Sequence, residues 1–248
     1  MNAINAIAPG ATAMPAEPAE VRGSSRFVYE SIYTAILEKR LAPATPLNKQ
    51  TLGRIFQVSA STIQRALSRL ADEGAVSMQA SQVAMVARPC GHQARQVLEA
   101  RILVETEVLR LVCGRLTSDR LTELRERVAE ERACLAAGDR AGLIERVAGF
   151  HMRLAEFAGN PLLLKFLRNL LSRASLCVAL NRSEVYSAAT CEEHLELLEA
   201  LEEGDVGTAV ELLVRHLNGV FDKQRFVPPP TTDLRAAFKG RLGLAWSR

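Results

Sequence analysis

The sequence has no apolar run that approaches the roughly 20 residues needed to span a bilayer, so it gives no support for a membrane location. It also has no CxxC motif. Its five cysteines are an odd number and lie far apart, which favours reduced thiols on helix faces and a cytoplasmic location over a disulfide framework. Residues 1–25 lack the basic start and compact apolar core of a signal peptide, and their Ala- and Pro-rich composition predicts a disordered leader.

Charge is nearly balanced over the whole chain, but it is unevenly distributed. The 248 residues carry a formal net charge of only +3. Residues 22–90 contain nine Lys and Arg against four Asp and Glu, whereas residues 91–226 contain 18 against 21. With 48% hydrophobic residues, the chain is long enough for two cores. A small basic domain followed by a larger, mildly acidic one is typical of a nucleic-acid reader joined to a domain with another task.

Residues 47–76 predict two short amphipathic helices joined by a tight turn. Apolar residues recur at helical spacing on one face of each helix: Leu52, Ile55 and Phe56 on the first, and Ile63, Ala66, Leu67 and Leu70 on the second. Ser59, with Ser61 as a second candidate, is suited to cap the second helix, and Gly74 stands where that helix can end. An apolar helix from Phe27 to Lys39 precedes the pair.

A short hairpin is predicted after the helix pair. Val76 and Met78, and then Val83, Met85 and Ala87, recur at a spacing of two on either side of residues 79–82, which places Val86 on the other face. The helix pair alone would fit an ordinary helical hairpin with a solvated polar face equally well. The added helix and hairpin favour a winged helix-turn-helix.

The outward face of the second helix is predicted to bind DNA. Hydroxyl, amide and guanidinium groups at this face are the groups that bind base edges and phosphates in a major groove. We therefore expect a double-stranded DNA surface formed by Lys49, Arg54, Ser59, Ser61, Thr62, Gln64, Arg65 and Arg69. One winged helix contacts only a few base pairs, so we expect a homodimer on an inverted repeat.

Over residues 27–88 the sequence resembles the GntR family of transcriptional regulators. The resemblance rests on Pro43, Leu47, Leu52, Val58-Ser59, Ala66-Leu67, Leu70, Glu73-Gly74 and Val76. The sequence departs from the family where DNA is touched. The basic residue usual after the position of Ser59 is Ala60, the usual Arg-Glu pair is Gln64-Arg65, and the wing tip at residues 80–82 is neutral. The resemblance implies the family's fold but not its usual operator sequence.

From residue 93 to residue 223 the apolar pattern is helical, with breaks that carry Gly, Asn or Pro. It predicts six helices, at 94–114, 118–136, 139–158, 161–179, 187–203 and 205–223, in an antiparallel bundle. The predicted fold class is therefore mainly α. We expect a leader at 1–25, a DNA-binding domain at 26–88, a linker at 89–93, an all-α effector-binding and dimerisation domain at 94–225, and a tail at 226–248 with a short helix at 234–239.

Three of the four histidines, His151, His194 and His216, fall beside apolar residues on separate predicted helices. A single histidine on an apolar face is usually a hydrogen-bonded core residue. Three imidazoles on three helices can also bind Zn or Ni and leave positions open for water or a ligand, provided that the helices bring them together. Sequence spacing alone leaves both interpretations open.

Residues 95–218 resemble the C-terminal effector domain of the FadR branch of GntR regulators. The shared residues are Glu99-Ala100-Arg101, Glu105, Phe150-His151, residues 158–163, Glu193-His194, Gly204-Asp205, Ala209 and His216-Leu217. Metal-binding members hold the ion with three histidines, which match His151, His194 and His216, and with an Asp whose position is Val147 here. Glu145 is turned by about 200° from Val147 on a helix and is a poor substitute. The resemblance thus leaves a three-His site, a weakened site or a lost site.

The resemblance also implies that Arg101 points into the bundle cavity, where its guanidinium would bind a carboxylate effector at two points beside the histidines. The alternative is a surface or interface ion pair with Glu105. The predicted function is a ligand-responsive transcriptional regulator, a repressor released by a small organic acid. A metal-free pocket for an acyl or apolar effector is the alternative. A three-His metallohydrolase has less support, because no general base or nucleophile motif accompanies the histidines.

Overall fold

The computed structural model describes residues 24–78, 83–88, 91–180, 185–224 and 233–238. Its N-terminal part forms helix α1 at Ser25–Leu37, α2 at Lys49–Phe56, α3 at Ala60–Asp72, strand β1 at Val76–Ser77 and strand β2 at Met85–Val86. This order of elements is that of a winged helix-turn-helix, so the fold predicted for this part of the chain is confirmed.

The tight turn between α2 and α3 is fixed by backbone conformation and a side-chain cap. Gln57 takes a left-handed conformation with φ of 56°, which reverses the chain directly after α2. The hydroxyl of Ser59 accepts a hydrogen bond from the backbone N–H of Thr62 at 3.2 Å, as predicted for the cap of α3. Ser61, the second candidate, instead hydrogen-bonds the Ser59 hydroxyl at 2.8 Å.

The wing differs from the prediction in which side chains face the core. The strands pair antiparallel, with Val76 opposite Val86 and Ser77 opposite Met85. Val86 is 1% exposed, whereas Met85 is 37% exposed. The prediction that Met85 shares a face with Val76 is therefore wrong, because directly opposed residues of an antiparallel pair lie on the same face of the sheet. The predicted hairpin tip, residues 79–82, lies outside the described residues.

The second part of the chain forms six helices: α4 at Gly91–Val112, α5 at Ser118–Ala137, α6 at Arg140–Phe157, α7 at Pro161–Ala179, α8 at Ala188–Glu203 and α9 at Val206–Asp222. All six match predicted helices, and α4 begins three residues earlier than expected. Gly138 and Gly204 end α5 and α8 with φ of 68° and 76°, a left-handed conformation that glycine adopts without steric cost. Within the described ranges, no helix combines the length and apolar character needed to cross a membrane.

A short helix, α10 at Leu234–Phe238, returns to the winged helix after the bundle. The Phe238 ring is buried and lies edge-on to the ring of Phe56 on α2, with 5.0 Å between centroids. Arg40 donates a hydrogen bond to the carbonyl of Ala237. The tail helix predicted near residues 234–239 is therefore present, and the hydrophobic core of the winged helix includes it.

The bundle also contacts the winged helix through α7. The side-chain amide of Asn169 donates to the carbonyl of Asp72 at 2.8 Å, and the hydroxyl of Ser172 donates to the carboxylate of Glu73 at 3.2 Å. Asp72 is the last residue of α3 and Glu73 is its C-cap. The end of the helix predicted to read DNA is thus hydrogen-bonded to the bundle.

Candidate functional site

His151 on α6, His194 on α8 and His216 on α9 come together in the interior of the bundle. All three are buried, and their ring centroids are 4.6 to 5.5 Å apart. Each residue offers a ring nitrogen, and the three nitrogens lie within 4.8 Å of one another. The convergence that sequence spacing could not decide is therefore present.

Each of these imidazoles faces a carboxylate through Nδ1. The distances are 2.9 Å from His194 to Glu131 and 2.8 Å from His216 to Glu193. His151 lies 2.6 Å from Glu105, although off the axis of a good hydrogen bond. An ionised carboxylate only accepts hydrogen bonds, so the Nδ1 atom that faces it carries a proton, and in a neutral ring Nε2 then keeps its lone pair.

The Nε2 atoms of His151 and His194 are buried and have no hydrogen-bond partner among the described residues. Buried polar atoms of this kind are uncommon in proteins and call for an explanation, such as a bound ion or water. A histidine that binds a metal usually donates its other ring N–H to a carboxylate or carbonyl. The protonation pattern that the carboxylates impose is the one that a metal-binding histidine requires.

Burial keeps two of the imidazoles neutral. It lowers the pKa of His151, although Glu105 acts in the opposite direction. It also lowers the pKa of His216 well below its usual value, and the neighbouring His194 and His151 lower it further. Neutral imidazole is the form that binds a metal ion, so these side chains need not lose a ring charge before binding one.

Arg101 lies beside the histidines and is buried with Glu105. Its Nε donates to Glu105 at 2.6 Å, while its Nη2 is buried and finds no hydrogen-bond partner in the described part of the chain. Burial alone would raise the pKa of Glu105, but Arg101 and His151 outweigh it and hold that pKa at about 2. The ion pair considered as an alternative for Arg101 is therefore present and buried, and it still leaves one guanidinium nitrogen available to a ligand.

Val147 occupies the position one helical turn before His151 and is buried. It contributes no charge. The carboxylate nearest to His194 comes instead from Glu131 on α5, which sequence reasoning missed. A signal for it exists, since Glu131 follows Leu121, Leu124 and Val128 on the buried stripe of α5, where a charged residue is unexpected.

A cavity of about 180 Å³ lies between α5, α6, α7 and the segment before α8, and its lining residues include none of the three histidines. Its lining combines the apolar residues Ile144, Val178 and Val185 with the charged Asp139 and Arg140, and Tyr186 also lines it. Burial raises the pKa of Tyr186 to about 12; Arg101 opposes this shift, and Glu131 adds to it. The phenol therefore stays protonated near neutral pH and can donate a hydrogen bond.

Most of the residues predicted to contact DNA lie on the surface. The exposed ones are Lys49, Arg54, Ser59, Ser61, Arg65 and Arg69. Gln64 is half-buried, accepts a hydrogen bond from Lys49 Nζ at 3.0 Å and donates one to Ser68 at 3.2 Å. The N-terminal half of α3 therefore presents polar and basic groups to solvent.

Two predicted DNA-contacting residues are placed differently from the others. Thr62 is only 7% exposed, which corrects its assignment to the outward face, and its hydroxyl hydrogen-bonds that of Ser59 at 3.0 Å. Arg69 pairs with Glu73 at 3.3 Å and lies over the ring of Tyr29 at 3.8 Å. To reach a phosphate, Arg69 would have to give up both contacts.

A winged helix joined to an all-α domain is the architecture of a DNA-binding regulator with a second domain. Residues 24–86 match the model of the bacterial regulatory proteins of the gntR family, and residues 96–219 match the FCD domain. The chain therefore belongs to the GntR family of bacterial regulatory proteins and carries an FCD domain. The predictions of the family, and of a regulator rather than an enzyme, are confirmed.

Several known proteins are similar over most of their length. The HTH-type transcriptional repressor NanR of Cronobacter sakazakii is 25% identical over 219 residues, which covers 79% of this chain and 84% of NanR. The transcriptional repressor RspR of Escherichia coli is 22% identical over 208 residues, covering 83% and 91%. A GntR structure from Rhodococcus sp. RHA1 superposes with a TM-score of 0.70 at 18% identity. The superposition covers 80% of this chain and 95% of that chain, and it supports the fold alone.

Proposed function

We propose that the protein is a transcriptional repressor that leaves its operator when a small carboxylate binds in the bundle together with a divalent metal ion. The observation that carries this proposal is the group of buried, unpartnered polar atoms: Nε2 of His151, Nε2 of His194 and Nη2 of Arg101. Two of these atoms are lone-pair donors suited to a metal, and the third is a charged hydrogen-bond donor suited to an anion.

The three histidines fit a borderline ion such as Zn or Ni. They offer three ring nitrogens close together, and each ring is oriented by a carboxylate at Nδ1. When bound, such an ion supplies positive charge and an open coordination position for a carboxylate oxygen. The ion would be held by His151, His194 and His216. The orientation of the three rings would be fixed by the carboxylates of Glu105, Glu131 and Glu193.

An organic acid fits the groups around the histidines. Arg101 offers its free Nη2, and Tyr186 offers a protonated phenol at the wall of the cavity. The cavity of about 180 Å³ is smaller than a typical drug-sized pocket, and both apolar side chains and the charged Asp139 and Arg140 line it. These features favour a compact acid with a short apolar part over a large polar ligand.

On the DNA side, we propose that α3 enters the major groove with Ser61 and Arg65 toward the bases, and that two copies of the chain bind an inverted repeat. The two-unit organisation, 26–88 for DNA and 94–225 for effector and dimerisation, is part of this proposal. Leu103, Leu162 and Phe166 on the bundle are large apolar residues exposed to solvent. Exposed apolar surface of this kind supports a contact between two bundles.

Calorimetry and DNA binding together test the proposal. Full-length protein without a His tag, stripped with EDTA, is titrated with zinc or nickel, and its DNA complex is followed by fluorescence anisotropy on fragments upstream of its own gene. We expect the wild type to bind metal at least about tenfold more tightly than His194→Ala. We also expect metal plus a suitable carboxylate to dissociate the DNA complex.

One alternative is a regulator whose pocket works without metal, and it is favoured because none of the three histidines lines the cavity. Equally poor metal binding by the wild type and His194→Ala, with DNA released by an apolar acid alone, would establish that alternative. Release of DNA by neither kind of ligand would contradict both forms of the proposal.

A further inference from the structure

A second cavity, of about 680 Å³, lies between the winged helix and the bundle. The wing lines it with Ser77 and Arg88, while α4 and α7 line it with Gln96 and Arg173. Its described lining includes none of the three histidines and no residue of the bundle cavity. Ligand pockets commonly have volumes of about 300–1,000 Å³ and often lie between domains. This interdomain cavity is therefore large enough for a small organic molecule and is separate from the bundle site.

The interdomain cavity carries positive charge without a compensating carboxylate. Arg88 and Arg173 line it, and none of its described lining residues is Asp or Glu. Arg88 is exposed, and neither arginine forms an ion pair with a residue that the structure describes. Gln93, in the first turn of α4, also lines the cavity, so the positive end of that helix dipole lies beside it. These charges favour an anion over a neutral or cationic ligand.

Arg173 is held at the cavity with hydrogen-bond donors to spare. Its Nε donates to the side-chain oxygen of Asn169 at 2.9 Å, and its Nη2 donates to the carbonyl of Asp72 at 3.2 Å. The guanidinium packs so closely on Gly74 that a Cβ added there would lie 2.5 Å from Nη1. Nη1 itself has no hydrogen-bond partner in the described part of the chain. Because two contacts already fix this side chain, an anion that binds Nη1 costs little further side-chain freedom.

The remaining lining of the interdomain cavity is largely apolar. Met85 on the wing, Val97 on α4 and Leu170 on α7 contribute to it. Met85 faces away from the core of the winged helix and is 37% exposed, so its side chain is available to a ligand. A ligand that combines an acidic group with an apolar body matches both the arginines and these side chains.

We propose that the interdomain cavity is a second ligand site, which takes an organic anion with an apolar body. Arg173 is the main anchor for the acidic group, and the exposed Arg88 adds a weaker attraction that water screens. A molecule held there contacts the wing and the bundle at the same time. The site is independent of the metal and of the compact acid proposed for the bundle.

Two probes that differ only in charge test the site. Anilinonaphthalenesulfonate has a sulfonate on an apolar aromatic body, and phenylnaphthylamine has the same body without the charge. Both are titrated by fluorescence into full-length, EDTA-stripped protein. We expect Arg173→Gln to weaken sulfonate binding about tenfold, as loss of a charge-assisted hydrogen bond does, and to leave binding of the neutral probe unchanged. Arg88→Gln should weaken sulfonate binding only about two- to threefold, since its charge is exposed.

Arg168→Gln is the matched control for Arg173→Gln. Arg168 lies on the same helix, is exposed and is absent from the described lining of the cavity. Its loss should leave the binding of both probes unchanged. Equal sulfonate binding by the wild type and Arg173→Gln, or parallel loss of both probes in Arg173→Gln, would overturn the anion site, as would failure of the wild type to bind the sulfonate.

Two further variants locate the bound probe. Ser77 is exposed on β1 and lines the interdomain cavity, so Ser77→Trp should fill it and weaken the binding of both probes. His194→Ala, in the bundle site, should bind both probes as the wild type does. Weaker sulfonate binding by His194→Ala, with no effect of Ser77→Trp, would place the probe in the bundle and overturn the inference. Failure of the wild type to bind metal would contradict the metal-dependent function proposed above and leave this second site unaffected.

Discussion

Ser172 on α7 donates a hydrogen bond to the carboxylate of Glu73 at 3.2 Å, and Glu73 caps the C-terminal end of α3. The same carboxylate accepts a hydrogen bond from the Tyr29 hydroxyl at 2.5 Å and pairs with Arg69. Val178, farther along α7, lines the cavity beside Tyr186. One helix thus touches both the proposed effector cavity and the proposed reading helix, so a shift of α7 would reach α3 directly.

A double-mutant cycle tests this contact. We expect Glu73→Ala and Ser172→Ala to show a coupling energy of about 0.5–1.5 kcal/mol in urea unfolding, the usual net value of a hydrogen bond. The matched control pairs Glu73→Ala with Thr208→Ala, since Thr208 lies on α9 and bonds Asp205. That pair should be additive within about 0.5 kcal/mol. Additivity of the first pair would mean that the Ser172 contact contributes nothing to stability.

The sequence was sufficient to predict where the helices and strands lie, but not which side chains of the wing face the core. The six bundle helices and the Ser59 cap of α3 could be predicted because helical periodicity and cap residues act within a few positions. The prediction for the wing was wrong because Val83, Met85 and Val86 are all apolar. Alternation alone therefore did not decide which of them faces the core. The pairing of Val86 with Val76, together with the bridge from Pro46 to Met85, decides it in the structure.

The histidines of the candidate site could be predicted from the sequence, but the carboxylates that face them could not. The histidines were visible as polar residues on apolar faces. Their convergence and the role of Glu131 depend on how α5, α6, α8 and α9 pack, and contacts between residues far apart in sequence leave no periodic trace. The docking of Phe238 against Phe56 is of the same kind, because the two residues are separated by the whole bundle.

Phe238 should stabilise the winged helix from the far end of the chain. Its ring is buried among core residues, so we expect Phe238→Ala to lower the free energy of unfolding by about 3 kcal/mol, at the lower end for buried Phe because a short helix can undock. Val206→Ala is the control, since Val206 is an apolar residue on α9 that is 38% exposed. Urea unfolding of the full-length proteins measures both. Equal stability of the two variants would show that α10 does not support the core.

Arg65 should carry more of the DNA affinity than Arg69. Arg65 is exposed on α3, and its loss should cost about 1–3 kcal/mol if it contacts a base. Arg69 is held by Glu73 and Tyr29, so we expect Arg69→Ala to leave the salt dependence of binding nearly unchanged. Arg110→Ala, on the exposed side of α4, serves as the control. Unaltered operator affinity of Arg65→Ala in fluorescence anisotropy would place the wrong face of α3 in the groove.

Stability should fall as the pH is lowered below about 6.5, the usual pKa of histidine. The folded protein keeps His151 and His216 neutral because burial lowers their pKa, whereas the unfolded chain takes up protons there. The unfolded state then binds more protons, so the stabilisation present above this pH is lost as the pH falls toward the lower native pKa values. Each group can contribute up to about 1.4 kcal/mol per pH unit.

The measurement is urea unfolding at pH 7.5, 6.5 and 5.5 in EDTA, which keeps metal from binding the imidazoles. His216→Gln should flatten the pH dependence because it removes one of the titrating groups. His92→Gln, which changes an exposed histidine outside the cluster, should retain it. A wild-type profile that does not change between pH 7.5 and 5.5 would show that the cluster is protonated to the same extent in both states.

Val147→Asp should tighten metal binding and weaken the need for an anionic ligand. The new carboxylate would lie one turn before His151, on the buried side of α6. An Asp at this position would supply one of the two negative charges that balance a divalent ion, so the loaded site would depend less on the charge of a carboxylate ligand. Without metal, the extra buried charge should destabilise the protein by several kcal/mol, and zinc should restore more stability than it does in the wild type.

Val147→Asn is the isosteric neutral control. Thermal unfolding with and without zinc, combined with calorimetry of acetate on the loaded proteins, measures both effects, and an equal zinc shift in the Asp and Asn variants would show that position 147 does not face the ion.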